Sequence, residues 1–196
     1  MTETPTTSDT LTLGSPDITG DYVIDAAHSR LGFVARHAMV TKVRGSFNEF
    51  EGSAHLDAAN PSKSSATVSI DVASIDTRQS QRDEHLRTND FFDAPTFPMI
   101  TFVSTAAEKL DEENFRMTGD LTIKDVTKSI SIDFEFAGGA KDPYGNERVG
   151  FEGSTAINRK DYGVNFNAAL ESGGVMVSDK ITLEFEISAI KSQPAA

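Results

Sequence analysis

Cysteine and tryptophan are both missing from this chain of 196 residues. Without cysteine, the protein has no disulfide scaffold, iron–sulfur cluster, thiolate zinc site or cysteine nucleophile. Basic residues are also scarce: 18 Lys and Arg stand against 30 Asp and Glu, for a net charge of −12 at pH 7. Phosphate binding relies on clustered basic side chains, so a chain this acidic is expected to be repelled by nucleic acids and anionic membrane surfaces. We therefore expect no nucleic-acid partner.

Long apolar runs are missing as well. No segment approaches the ~20 apolar residues of a membrane span, so no stable membrane insertion is expected. The first twenty residues are rich in Thr, Ser and Pro and contain no Lys or Arg. A secretory signal needs a basic start and a continuous apolar run, which predicts a cytoplasmic location here. Residues 1–19 are predicted to form a flexible extension, with an edge strand around Leu11 and Leu13 as the alternative.

The length predicts one domain, residues 20–191, followed by a short polar tail at 192–196. Within the domain, apolar and polar residues alternate with a period of two, which predicts β-strands. In Arg30–His37, the side chain of His37 has the same parity as Leu31 and Phe33. His37 is therefore predicted to point inward, either as a core histidine bonded to the backbone or as a ligand contact. The clearest further strands are 66–72, 115–123, 130–136, 149–157 and 181–187.

The segment 43–56 changes parity part-way. Phe47 belongs to one alternating set and Phe50 to the other, which predicts a β-bulge or sharp bend near Asn48 and Glu49. Small residues recur on the apolar faces, which suits a strongly coiled sheet or one that leaves space inside. A closed sheet also removes the edges of long strands. The fold class predicted is all-β: an antiparallel barrel of about eight strands with one or two short helices. The small residues are Gly45, Gly52, Gly119 and Gly153.

The segment 78–102 breaks the strand pattern. Ser80 as N-cap with Asp83 three residues on predicts a short helix to about Arg87, with an Asp83–Arg87 pair on its surface. Phe91 and Phe92 follow and are expected to turn into the core. The three arginines of the segment have two interpretations: ion pairs with neighbouring acidic residues, or contacts to an anionic head group at the barrel mouth. These arginines are Arg78, Arg82 and Arg87, and the acidic residues are Asp76, Asp83 and Glu84.

Signals of catalysis or metal binding are weak. The four histidines form no HxH or HExxH pattern, so no metal site is predicted. No nucleophile elbow or phosphate-binding loop is present, and no catalytic residue is assigned. Asp83 and His85 are two positions apart and do not share a helix face, which disfavours a base and its orienting acid there.

In the order and spacing of several short motifs, the chain resembles the YceI-like family over about residues 20–190. The motifs are YVID at 22–25 with His28 and Ser29, VRGSF at 43–47, RDEHLR at 82–87 with DFFD at 90–93, GDLTI at 119–123 and INRKDYG at 157–163. The resemblance implies an extended, lipocalin-like barrel around a long apolar tunnel. It also implies binding of a polyisoprenoid lipid, such as an isoprenoid quinone or a prenyl pyrophosphate, with no other cofactor.

The residues expected at such a tunnel are mostly phenylalanines on apolar strand faces. Arg82, His85 and Arg159 are the candidates for contacting the ligand head group. Two alternatives stay open: an enzyme acting on an isoprenoid or other amphipathic molecule through His37 or the Asp83 and His85 region, and a stress-response structural protein with a filled barrel. A homodimer is compatible with the sequence. The tunnel candidates are Phe33, His37, Phe47, Phe91, Phe92, Phe102, Phe134, Phe151 and Phe185.

Overall fold

A computed structural model describes residues 17–193, which form eleven strands and one α-helix. The helix α1 spans Ser80–Arg87. The strands are β1 (Gly20–Ile24), β2 (Arg30–His37), β3 (Thr41–Phe47), β4 (Phe50–Leu56), β5 (Ser65–Asp71), β6 (Ile75–Asp76), β7 (Met99–Lys109), β8 (Asn114–Ile123), β9 (Val126–Lys141), β10 (Glu147–Asn158) and β11 (Lys180–Lys191). The predicted edge strand around Leu11 lies outside the described residues, as do most of the two predicted tails.

Eight of these strands close into an antiparallel barrel. Their order is β1-β4-β5-β7-β8-β9-β10-β11, and β11 pairs back onto β1. The other three strands, β2, β3 and β6, extend the sheet from the side of β11. The predicted all-β barrel is therefore confirmed.

Two stretches of the barrel wall are bent, and the bends create the extra strands. β1 passes through the 3-10 turn Ala26–His28 into β2, and both strands pair with β11. β3 ends at Phe47 and β4 begins at Phe50, which confirms the bend predicted at Asn48 and Glu49. The chain thus bends both between β1 and β2 and between β3 and β4. As a result, β2 and β3 pair with each other and form a hairpin that continues past the barrel wall.

The helix α1 lies where predicted, but its start differs in detail. Gln79, not Ser80, is the N-cap, and its side chain accepts a hydrogen bond from the backbone N–H of Arg82. The carboxylate of Asp83 is buried and accepts hydrogen bonds from both the backbone N–H (2.9 Å) and the hydroxyl (2.5 Å) of Thr77. The predicted Asp83–Arg87 pair is thus wrong, since Asp83 faces the chain that enters the helix.

One end of the barrel, which we call the helix end, is closed by α1 and the turn that follows it. Phe91 is 6% exposed and packs with Tyr162 and Val164 in the larger of two buried clusters. Phe92 contacts Phe47 edge-on, with ring centroids 6.0 Å apart. The expectation that these two phenylalanines turn into the core is correct.

The smaller buried cluster lies towards the opposite end of the barrel. It joins Tyr22, Val149 and Ala189 from β1, β10 and β11, with Phe136 and Phe151 packed against it. The two clusters hold the ends of the wall together and leave space between them. None of the helices in residues 17–193 has the length and apolar run that crossing a membrane takes.

Candidate functional site: an apolar cavity open at one end

The barrel encloses a cavity of about 400 Å³. Its walls are the inward, apolar faces of the strands, so the same period-two pattern that builds the sheet also makes the lumen dry. Phe115 and Ile123 of β8 both line it, eight positions apart, which corresponds to about 26 Å along the strand. The cavity is therefore long and narrow, and its volume lies in the usual range of about 300–1,000 Å³ for small-molecule sites.

Glycines on the inner face make room for aromatic rings. A Cβ atom built on Gly45 would lie 2.3 Å from the Phe33 ring, and one on Gly153 would lie 2.6 Å from the Phe134 ring. In both cases the glycine lies directly opposite the phenylalanine on the neighbouring strand. The rings can thus lie against the wall instead of filling the lumen, which confirms the expectation that inner glycines leave space.

The cavity opens at the end opposite α1. Among its lining residues, Ala58, Glu108, Lys109 and Glu112 are exposed, whereas Phe91, Tyr162 and Val164 at the helix end are buried. The side chain of Lys109 has the inward parity of β7, and its Nζ lies 3.0 Å from a carboxylate oxygen of Glu112. This mouth is the place where the lumen meets charged groups and water.

Arg159 forms part of the closed end. It is 5% exposed, and its guanidinium donates to the carbonyl oxygens of Val164 (2.8 Å), Phe166 (2.8 Å) and Ser178 (2.9 Å). A weaker contact of 3.6 Å joins it to a carboxylate oxygen of Asp179. Burial lowers the pKa of the guanidinium, and Asp179 opposes this shift. The geometry is that of a clamp that fastens segment 163–179 to the barrel.

Eight of the nine predicted tunnel residues line the cavity, all of them phenylalanines. His37 does not: it is exposed at the end of β2, beyond the barrel wall, so the prediction that it points inward is wrong. Parity placed it correctly on the face of Leu31 and Phe33, but the strand has already left the barrel at that point.

The three predicted head-group residues are not brought together at the mouth. Arg82 is exposed at the helix end and donates to the hydroxyl and carbonyl oxygens of Thr77 (both 2.7 Å). His85 bonds a carboxylate oxygen of Asp90 (2.7 Å) and packs edge-on against Phe91. Neither lines the cavity, and the donors of Arg159, which does, are directed at backbone carbonyls. The head-group assignment therefore gains no support from their positions.

Neither interpretation of the arginines in segment 78–102 describes Arg82 and Arg87. Arg87 donates to the carbonyl oxygens of Ala73 (2.8 Å) and Ile75 (3.1 Å), so both arginines fasten α1 to the chain that enters it. Within residues 17–193, Arg82 and Arg87 have no acidic partner within 4.0 Å. In the same part of the chain, no cluster of His, Asp and Glu could hold a metal ion.

Sequence reasoning overlooked the aliphatic lining and the mouth. The aliphatic residues had a usable signal, because they occupy the same alternating positions as the predicted phenylalanines. The mouth had none, since exposed Lys and Glu in a turn are the usual composition of a protein surface. The additional lining residues include Leu31, Leu121, Ile132, Met117, Ile181 and Leu183.

Tyr162 lines the closed end of the cavity and is 2% exposed. Its hydroxyl has no hydrogen-bond partner among the described residues, and burial raises the pKa of this side chain to about 12 from 10.0. Between pH 10 and 12 the unfolded chain releases this proton while the folded protein keeps it. Ionisation of Tyr162 therefore does not affect folding stability below pH 10, and the free energy of unfolding falls as the pH rises through this window.

We expect the free energy of unfolding of the wild type to fall by about 2 kcal/mol more than that of Tyr162→Phe between pH 10 and 12. At neutral pH the substitution should be neutral or stabilising, because it removes a buried hydroxyl that lacks a partner. Denaturant unfolding at several pH values measures both effects. Tyr144→Phe, at a position that is 90% exposed, is the control and should keep the wild-type slope. Parallel pH profiles for wild type and Tyr162→Phe would contradict the expectation.

Comparison with known proteins agrees with this geometry. The family model described as the YceI-like domain matches residues 22–189, which is nearly the whole barrel. The chain belongs to the YceI-like family. A curated relative, UPF0312 protein SAS2572 of Staphylococcus aureus, is 41% identical over 170 residues, covering 86% of this chain and 95% of the relative.

Solved structures of similar fold include further members of the family. A YceI protein of Campylobacter jejuni is 33% identical with a TM-score of 0.70, and the match covers 81% of this chain and 90% of that one. A domain from Saccharophagus degradans, described as polyisoprenoid-binding, has a TM-score of 0.65 over 87% of this chain and 98% of that one. At 17% identity, the latter likeness is one of fold alone. Sequence and structure comparisons thus agree on the family and on the fold.

Proposed function

We propose that the protein binds a polyisoprenoid lipid, with its prenyl chain in the barrel cavity, and stores, carries or sequesters it. The observation that carries the proposal is the long apolar cavity with one open end. A prenyl chain is almost pure hydrocarbon, so it needs length and dryness from its site rather than many polar contacts. The description of the Saccharophagus degradans domain as polyisoprenoid-binding supports the same ligand class.

The energetics favour a long chain over a compact ligand. Transfer of a CH₂ group out of water contributes about 0.8 kcal/mol, so ten buried carbons contribute roughly 8 kcal/mol before ordering costs. Those costs amount to several kcal/mol, so a short chain would bind weakly. The polar head group is expected at the mouth, beside Lys109 and Glu112, because the far end of the cavity is closed.

The alternatives have less support. A filled barrel would leave no cavity of this size. The enzyme hypothesis relied on His37, Asp83 and His85, which lie outside the cavity lining. In addition, the Asp83 carboxylate is hydrogen-bonded to Thr77, and the His85 ring is hydrogen-bonded to Asp90. The cytoplasmic location and a homodimer stay predictions from the sequence.

The ligand is tested by organic extraction of the natively purified protein followed by mass spectrometry. We expect a prenyl lipid at a substantial fraction of one molecule per chain. Delipidated protein should take up an added isoprenoid quinone, and a quinone without the prenyl tail should not bind. Absence of any long-chain species, together with no uptake of the added quinone, would refute the proposal. Uptake of straight-chain fatty acids as readily as prenyl chains would refute the ligand class but not the cavity's role.

A further inference from the structure

The β2–β3 hairpin carries an exposed apolar tip. Met39 is 56% exposed and Val40 76% exposed, although both are large apolar residues. The neighbouring loop packs against the hairpin, with the backbone N–H of Ala38 donating to the carbonyl of Met176 (2.9 Å). The same loop presents Val175, which is 39% exposed. Isolated exposed apolar residues are ordinary, but here three project from one end of the molecule.

The backbone of this tip is strained. Ala38 and Met39 have φ angles of 51° and 59°, in the left-handed region. A hairpin turn in which both central residues have positive φ angles strongly favours Asn, Asp or Gly at those two positions. Nothing in the barrel requires a methionine here, and strain of this kind is concentrated at functional sites.

Basic residues surround the tip. Arg36 and Lys42 lie directly opposite each other on β2 and β3, and Arg44 follows on the same face as Lys42. All three are exposed, and within the described chain none has an acidic side chain within 4.0 Å. Like charges directly opposite in a sheet are destabilising, so this arrangement opposes folding unless an anionic surface offsets it. The adjacent loop, residues 164–178, contributes one acidic residue, Glu171.

A row of acidic residues lies elsewhere on the barrel. Glu135, Glu152 and Glu186 lie directly opposite one another across β9, β10 and β11, on the outer face, and all three are exposed. The net charge of −12 predicts repulsion from anionic membranes, but the charge is unevenly distributed. An anionic surface would repel this row and attract the hairpin, so it would orient the molecule with the hairpin towards it.

We propose that the β2–β3 hairpin tip docks on the surface of an anionic lipid bilayer, with Met39 and Val40 entering the interface and Arg36, Lys42 and Arg44 contacting head groups. Apolar side chains beside unpaired cations are the features that drive reversible binding to such interfaces. The cavity mouth lies at the other end of the barrel, so docking leaves the mouth facing water. The proposal concerns the ligand-free protein and does not depend on the identity of the bound lipid.

Vesicle flotation tests the docking. Wild-type protein should partition onto vesicles of equal parts phosphatidylglycerol and phosphatidylcholine, weakly onto pure phosphatidylcholine, and less at high salt. The pair Lys42→Gln/Arg44→Gln should weaken partitioning about tenfold or more. Lys63→Gln/Lys141→Gln, on exposed lysines at the opposite end, changes the net charge equally and should have little effect.

The apolar contribution is measured with Met39→Ser/Val40→Ser, which should weaken partitioning about tenfold. Its control, Val103→Ser/Tyr144→Ser, removes two large hydrophobic side chains, 50% and 90% exposed, from other surfaces. Met39→Gly should weaken partitioning while raising the midpoint of thermal unfolding, because glycine relieves the left-handed strain. Weaker partitioning together with higher thermal stability would show that the variant loses docking and not its fold.

Three results would overturn the proposal. The first is equal wild-type partitioning onto neutral and anionic vesicles. The second is a charge or apolar variant that binds like wild type. The third is a tip variant that converts a dimer to a monomer in light scattering without changing flotation, which would assign the tip to contact between copies of the chain.

Discussion

Arg159→Met should lower the free energy of unfolding by about 3 kcal/mol or more, the largest effect expected of a single substitution that leaves the cavity volume in place. The guanidinium donates to three backbone carbonyls within 2.9 Å, all of them in segment 163–179. Methionine fills similar space but offers no donor, so these carbonyls lose their partners at a position that is only 5% exposed. The loss of buried hydrogen bonds to a charged group is more costly than that of neutral pairs.

Denaturant unfolding measures this loss, and hydrogen exchange locates it. Exchange should rise first in 163–179, because that segment contains the three carbonyls that lose their donor. Lys160→Met is the matched control: Lys160 pairs with the same Asp179 at 3.1 Å but is 47% exposed, so about 0.5 kcal/mol or less is expected. Arg159→Lys should fall between the two, because it keeps the charge but not the planar fork of donors. Equal stabilities of Arg159→Met and Lys160→Met would show that the clamp is not needed.

Gly45→Val should weaken binding of a prenyl ligand about tenfold or more while the barrel stays folded. The three atoms nearest to a Cβ at this position all belong to the far end of the Phe33 ring, at 2.3 to 2.9 Å. The ring can rotate away, and the space it then takes is the lumen. Each buried CH₂ of ligand is worth about 0.8 kcal/mol, so excluding two or three carbons accounts for the expected loss.

Binding of a fluorescent prenyl analogue measures this effect. Gly150→Ala is the matched control, because a Cβ there meets Ala137 at 3.4 Å, an ordinary contact. The double variant Phe33→Leu/Gly45→Val should recover much of the lost affinity, since the smaller side chain vacates the lumen. Non-additivity of this kind identifies the Phe33–Gly45 contact as the cause. Wild-type affinity in Gly45→Val would mean that the ligand does not pass this part of the barrel.

Local pattern was sufficient for the strands and for the apolar lining. Alternation with period two identifies which side chains share a face, and one face of each strand is apolar. The change of parity between Phe47 and Phe50 indicated the bend. An extra or missing residue in a strand moves every later side chain to the opposite face of the sheet. Gly45 and Gly153 indicated internal space, because a glycine on the inner face leaves room for the side chain of a neighbouring residue.

Tertiary structure alone decided where each strand leaves the barrel and which end is open. The parity of His37 was read correctly, but parity carries no information on whether the barrel continues around that residue. The contact of Arg159 with segment 163–179 could not be predicted from the sequence either. Its partners are backbone carbonyls, which every residue has, so no sequence pattern identifies them. The segment 78–102 follows the same division. Its helix and its two inward-turning phenylalanines were predictable from spacing, whereas the acceptors of Arg82 and Arg87 depended on which chain the fold places beside them.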